Sequence, residues 1–90
     1  MYSVEYTTRF KRSYKRCIKR GLDPKLLEEA VTLLKQTGTL PAKYKAHKLV
    51  SDYAGCWECH IQPNWLLVWQ QNEMELTLLL VDTGTHADLF

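Results

Sequence analysis

No lysine or arginine follows Lys48 in this 90-residue chain. All twelve cations lie between Arg9 and Lys48. Residues 1–50 therefore sum to +8, and residues 51–90, with six acids and no cation, sum to −6. This excludes a basic surface built from the C-terminal half alone. It directs an anionic partner, nucleic acid first, to the N-terminal half. Other absences narrow the class. No run approaches the length of a membrane helix, about eighteen apolar residues. The opening Met1-Tyr2-Ser3-Val4-Glu5 has no apolar signal-peptide core, so a cytoplasmic location is expected. Three cysteines, an odd number without a secretory signal, lead to an expectation of free thiols. There is no internal repeat, linker or low-complexity tract. The apolar share of 46% against 24% charged residues argues against disorder. Ninety residues make one domain, 1–90, with a single core.

The most ordered pattern is Trp57 to Trp69. Trp57, Cys59 and Ile61 alternate with Glu58 and His60, the period-2 signature of a strand. Gln62-Pro63-Asn64 breaks the run as a turn. Trp65-Leu66-Leu67-Val68-Trp69 is uninterrupted apolar sequence, which suits a central strand covered on both faces. Leu76 to Val81 reads as a second buried strand. Gln70-Gln71-Asn72-Glu73 reads as the turn between them, and His47 to Val50 as a further strand. Before these come two helices. Tyr2, Val4 and Tyr6 alternate as a short first strand, and Thr7 or Thr8 caps the first helix. Phe10, Tyr14, Cys17 and Ile18 fall on one helical arc. Arg9, Lys11, Arg12, Lys15, Arg16, Lys19 and Arg20 cover the rest, as a surface for phosphate or an acidic protein. Asp23-Pro24 opens the second helix as N-cap and first residue, and Gly38 closes it. The order β-α-α-β-β-β points to an α+β fold, a small antiparallel sheet with a helical hairpin on one face.

Cys56-Trp57-Glu58-Cys59-His60 contains the C-x-x-C-H string of haem attachment and a zinc half-site. On a strand, however, positions 56 and 59 point to opposite faces, which suits neither. Small core residues are the expected role, and no metal or other cofactor is called for. The chemistry-bearing residues are His47, His60 and His86. Imidazole gives and takes protons near neutral pH. RNA cleavage by attack of a 2′-hydroxyl on its own phosphate needs one group to take the hydroxyl proton and one to protonate the leaving 5′-oxygen. Cationic donors would stabilise the phosphorane between them. A structural or binding role for the histidines stays open on spacing alone.

Three stretches carry a family likeness: Tyr44-Lys45-Ala46-His47-Lys48-Leu49, Glu58 to Trp69, and Thr83-Gly84-Thr85-His86-Ala87-Asp88-Leu89-Phe90. Together they resemble the YafQ-type branch of the RelE/ParE toxin superfamily. The resemblance covers nearly the whole chain, helical hairpin included. It implies a RelE-like microbial ribonuclease fold and a toxin of a type II toxin–antitoxin module that cuts messenger RNA in the ribosomal A site. It implies as partners a cognate antitoxin, the ribosome and messenger RNA, with operator DNA reached only through the antitoxin and no membrane. It assigns acid–base roles to His47, His60 and His86, among which we expect His86 as general acid and His60 or His47 as base. It assigns RNA support to Glu58, Asn64, Trp65 and Phe90, the two aromatics by stacking on bases, and ribosomal phosphate contacts to the basic helix. Two positions depart from the family pattern. Asn64 stands where relatives carry aspartate, and Asp82 where some carry arginine, so reduced activity is one implication. The same superfamily includes gyrase inhibitors, so a toxin that acts by binding only, or a decayed toxin, is the alternative.

Overall fold

The computed structural model describes residues 1–90, apart from the Ser51 side chain. In chain order the elements are β1 (Ser3–Tyr6), α1 (Thr8–Lys19), α2 (Pro24–Thr37), β2 (His47–Lys48), β3 (Trp57–Gln62), β4 (Trp65–Asn72), β5 (Thr77–Gly84) and α3 (His86–Leu89). The five strands form one sheet in the order β1-β5-β4-β3-β2. β2, β3, β4 and β5 pair antiparallel in succession. β1 pairs parallel to β5, Ser3 opposite Thr77 through Tyr6 opposite Leu80, so the sheet is mixed and not purely antiparallel. The alternation of Tyr2, Val4 and Tyr6 is the same for either direction, which is why the sequence did not reveal it.

The helix ends follow local chemistry. Thr7 caps α1, its hydroxyl accepting from the Phe10 N–H at 2.9 Å. Asp23 caps α2 through the Lys25 N–H at 3.0 Å, with Pro24 as first residue. Gly38 ends α2 at φ 75°, and its amide donates to the Leu34 carbonyl. The Tyr2 ring lies where a side chain at Gly38 would point, so packing and backbone both favour glycine there.

Both helices lie on one face of the sheet. Phe10, Cys17, Leu27, Ala30 and Leu34 meet Cys59, Trp65, Leu67, Trp69, Leu78 and Leu80 in the main core. Each fully buried leucine there contributes roughly 1.5–3 kcal/mol. Ser13 is buried on α1, whereas Ile18, expected on the apolar arc, is exposed. The opposite face has a smaller cluster of Cys56, Leu66, Val68 and Leu89. β4 is thus covered on both sides, as its unbroken apolar run requires. Cys56 and Cys59 belong to different clusters on opposite faces. All three cysteines are free and buried, and burial pushes the Cys59 thiol up to about 12. β4 extends through the polar Gln70-Gln71-Asn72, and β5 runs on to Gly84. Among the described residues, no helix is long and apolar enough to cross a membrane.

Candidate active site

The smaller cluster is the floor of the site, and the polar residues ring it. β2 and β3 pair so that His47 stands opposite Glu58. Glu58 is buried, and its Oε1 lies 3.3 Å from His47 Nε2. The other His47 nitrogen, Nδ1, is 2.9 Å from the Lys45 carbonyl, which a left-handed turn at Lys45 (φ 52°) presents to it. Both imidazole nitrogens of His47 are therefore engaged. Glu58 Oε2 has no partner among the described residues, so one oxygen of this buried side chain is left unmatched. Two residues further along β3, His60 points to the same face and stands opposite Leu66 of β4.

His86 is brought to His60 by the end of β5. Gly84 turns the chain out of the sheet, and the Asp88 side chain lies 2.7 Å from the position a Cβ there would take. Thr85 then caps α3 in a reciprocal box. Its hydroxyl accepts from the Asp88 N–H, and the Asp88 carboxylate accepts from the Thr85 N–H at 2.9 Å. Asp88 also forms a two-point ion pair with Arg20, the C-cap of α1, at 2.6 and 3.2 Å. This clamp ties the short helix to the body of the protein. The first residue of α3 is His86, whose ring centre is 5.9 Å from that of His60. Asn64, at the β3–β4 turn, places its Oδ1 3.1 Å from His86 Nδ1. With that oxygen as acceptor, Nδ1 carries the hydrogen and Nε2 is left free.

Among the predicted site residues, His60, His86 and Asn64 come together directly, with His47 and Glu58 beside them as a pair. Phe90 is exposed and meets Tyr53 edge-on at 5.6 Å. Sequence reasoning did not single out Tyr53, which packs against Phe90 beside the site. Burial raises its hydroxyl's pKa, and neighbouring Asp82 adds to the effect. Trp65 does not present a face to RNA. It is 1% exposed in the main core, and its indole N–H donates to Thr83 Oγ1 at 2.9 Å. It occupies an inward-facing position on β4, so base stacking is replaced by support of the turn from below. The basic helix divides its cations. Lys11 and Lys15 line an apolar groove between α1 and α2. Arg9, Arg12 and Arg16 line a cleft on the α3 side, while Arg20 is held by Asp88.

The Arg20 pair and the Thr85 amide hold the Asp88 carboxyl far below its ordinary pKa. A carboxylate whose folded pKa is depressed stabilises the fold fully above the unfolded value, about 4. That contribution is lost as pH falls from there towards the folded value. Asp88→Asn should therefore cost most stability near neutral pH. Its deficit against the native protein should shrink below about pH 4, measured by urea unfolding across pH. A deficit constant down to about pH 2 would remove the ion pair as its cause.

Similar proteins agree with this geometry. The family described as the bacterial toxin of type II toxin–antitoxin systems, YafQ, matches residues 2–90. The mRNA interferase toxin YafQ of Escherichia coli BL21-DE3 is 38% identical over 97% of this chain and 94% of its own length. The crystal structure of YafQ from E. coli BL21(DE3) superposes with a TM-score of 0.91 at 35% identity, covering 100% of this chain and 99% of that one. The E. coli DinJ–YafQ toxin–antitoxin complex contains a similar chain at a TM-score of 0.88 and 34% identity, covering 99% and 97%. The family match and these relatives show that the chain, with its helical hairpin on one face of a mixed sheet, is a toxin of the type II toxin–antitoxin class. Within that class, the chain belongs to the YafQ family.

Proposed function

We propose that this toxin is an endoribonuclease that cuts messenger RNA in the ribosomal A site, with the His60–His86 pair moving the protons. The observation that carries the proposal is that pair: two imidazoles 5.9 Å apart, one steered by Asn64, on an open face of the sheet. One phosphate group can lie against both rings. The name mRNA interferase borne by its relatives agrees with this reading.

In the proposed reaction His60 accepts the proton of a 2′-hydroxyl, and the 2′-oxygen attacks the adjacent phosphorus. The bond to the 5′-oxygen breaks as His86, protonated, gives that oxygen its proton. The products are a 2′,3′-cyclic phosphate and a 5′-hydroxyl. His47 serves as a positioning partner for Glu58, because both its nitrogens are taken. The exposed Phe90 offers a stacking face to a base, a contact worth about 1–3 kcal/mol.

The partner in this reading is an antitoxin, and the groove between α1 and α2 suits one. Val4, Phe10, Val31 and Leu80 supply apolar surface, and Lys11, Lys15 and Lys35 line the groove with a single acid, Glu28. An acidic amphipathic segment matches that charge and polarity. Operator DNA is then reached only through the antitoxin, and the ribosome as target places the toxin in the bacterial cytoplasm.

The test is a translating-ribosome assay with a short messenger, its 5′ ends mapped by primer extension. New cuts inside A-site codons, absent on naked RNA, are the expected result. No cuts by a folded protein would instead favour a toxin that acts by binding, and would move the search to gyrase and to antitoxin binding.

A further inference from the structure

The cations missing from the C-terminal half return to the site from α1. Arg9, Arg12 and Arg16 are spaced i, i+3 and i+7, along one side of the helix. They line a cleft of about 420 Å³ whose other wall includes Tyr53, Asp82 and Asp88. The two carboxylates are already matched. Asp88 pairs with Arg20 at 2.6 Å, and Asp82 lies 3.9 Å from Arg9 Nε. Arg12 has no acidic partner among the described residues. Arg16 has a long contact, 3.4 Å, to the Ser13 hydroxyl. The cleft therefore keeps an excess of planar, forked donors, the geometry that best matches a phosphodiester. The Arg9 side chain is 62% exposed, so its guanidinium is available at the rim.

The cleft and the histidine site share the short helix α3. Tyr53 lines it and meets Phe90 on its other side. Asp88 and Leu89, also in its wall, share α3 with His86. Asp82 and His86 are four residues apart, which limits the separation of their Cα atoms to about 14 Å. An RNA strand crossing the histidines and passing Phe90 arrives at these arginines.

Building on the ribonuclease reading, we propose that this cleft is a second phosphate subsite, in which Arg9 and Arg12 hold a backbone phosphate of the substrate RNA flanking the one that is cut. The buried Asp82 keeps that phosphate at the rim, where the guanidinium groups are, and out of the depth of the cleft.

The test uses messengers in which single phosphates near the cut are replaced by uncharged methylphosphonates. One flanking replacement should slow cleavage by the native toxin about tenfold to a hundredfold. Arg9→Ala/Arg12→Ala should be slowed to a similar degree on the unmodified messenger. It should show no further loss with that same replacement, and Arg→Lys at both positions should restore part of the rate. Both side chains are on the surface, so circular dichroism should show an unchanged fold. Native rates from the double variant would overturn the subsite. So would a loss in the variant that adds fully to every messenger replacement, which would assign the arginines to ribosomal RNA. A second measurement does not depend on cutting: the Arg Nε–H resonances followed by NMR during titration with a 2′-O-methyl oligoribonucleotide. Movement at Arg9 and Arg12 supports the subsite even if the messenger is never cut, an outcome that would count against the ribonuclease reading alone. Resonances that stay still overturn the subsite even if cleavage is vigorous.

Discussion

His86→Ala should lower ribosome-dependent cleavage about a hundredfold to ten-thousandfold, the usual contribution of one positioned acid or base. Stability should change by no more than about 0.5 kcal/mol, as for most surface positions. The separation of the two effects comes from the geometry. His86 is exposed, and its ring makes one described hydrogen bond, to Asn64. The turn that carries it is held by other residues, through the Thr85–Asp88 box and the Arg20 clamp. Primer extension on stalled ribosomes reads the first quantity and urea unfolding the second. Full activity in a folded His86→Ala protein would remove His86 from the reaction and with it the paired-imidazole mechanism.

The second large effect falls on the fold. Trp65→Ala should cost about 3–5 kcal/mol, as for other large aromatic-to-alanine changes in cores. A domain of this size has a total of roughly 5–14 kcal/mol, so much of the margin would go. The side chain is 1% exposed among Leu67, Trp69 and other core residues, and its N–H satisfies Thr83 Oγ1, which in turn donates to the Leu66 carbonyl at 2.6 Å. Trp65→Phe keeps most of the volume and loses the hydrogen bond, and should cost less. The midpoint of urea unfolding ranks the three proteins. If Trp65→Ala kept native stability but bound RNA poorly, the indole would be a stacking platform after all.

The sequence carried the fold well wherever one segment's pattern was enough. The five apolar residues from Trp65 to Trp69 called for a strand buried on both faces, and β4 is one. Thr7 or Thr8, Asp23 and Gly38 marked helix ends by chemistry that acts within a few residues, and Thr7 is the cap. Pairing direction was less legible, since β1 and β5 meet across nearly the whole chain and alternation does not encode direction. At the site, the sequence offered His47, His60 and His86 as candidates without their mutual distances, and Asn64 only through the family resemblance. The structure adds that Asn64 holds His86, and that His47 is committed to Glu58 and Lys45. Trp65 departs from its expected role because an aromatic beside a turn reads the same whether it points outward or inward. Its place in the apolar alternation with Leu67 and Trp69 was the signal for the core. Arg20 looked like one more surface cation, because its partner Asp88 lies 68 positions away.

The parallel pairing of β1 with β5 has a consequence for how the protein is made. Thr7, just past β1, donates to the Val81 carbonyl 74 positions later, so β1 finds its partner only after the intervening residues have been synthesised. Until β3, β4 and β5 exist, the apolar sides of α1 and α2 have no sheet to cover. Closing so long a loop also delays folding relative to a locally connected bundle. His47, His60 and His86 come from β2, β3 and α3, and His86 reaches His60 only when β5 has docked beside β4. A partly synthesised chain therefore holds scattered imidazoles and no assembled pair.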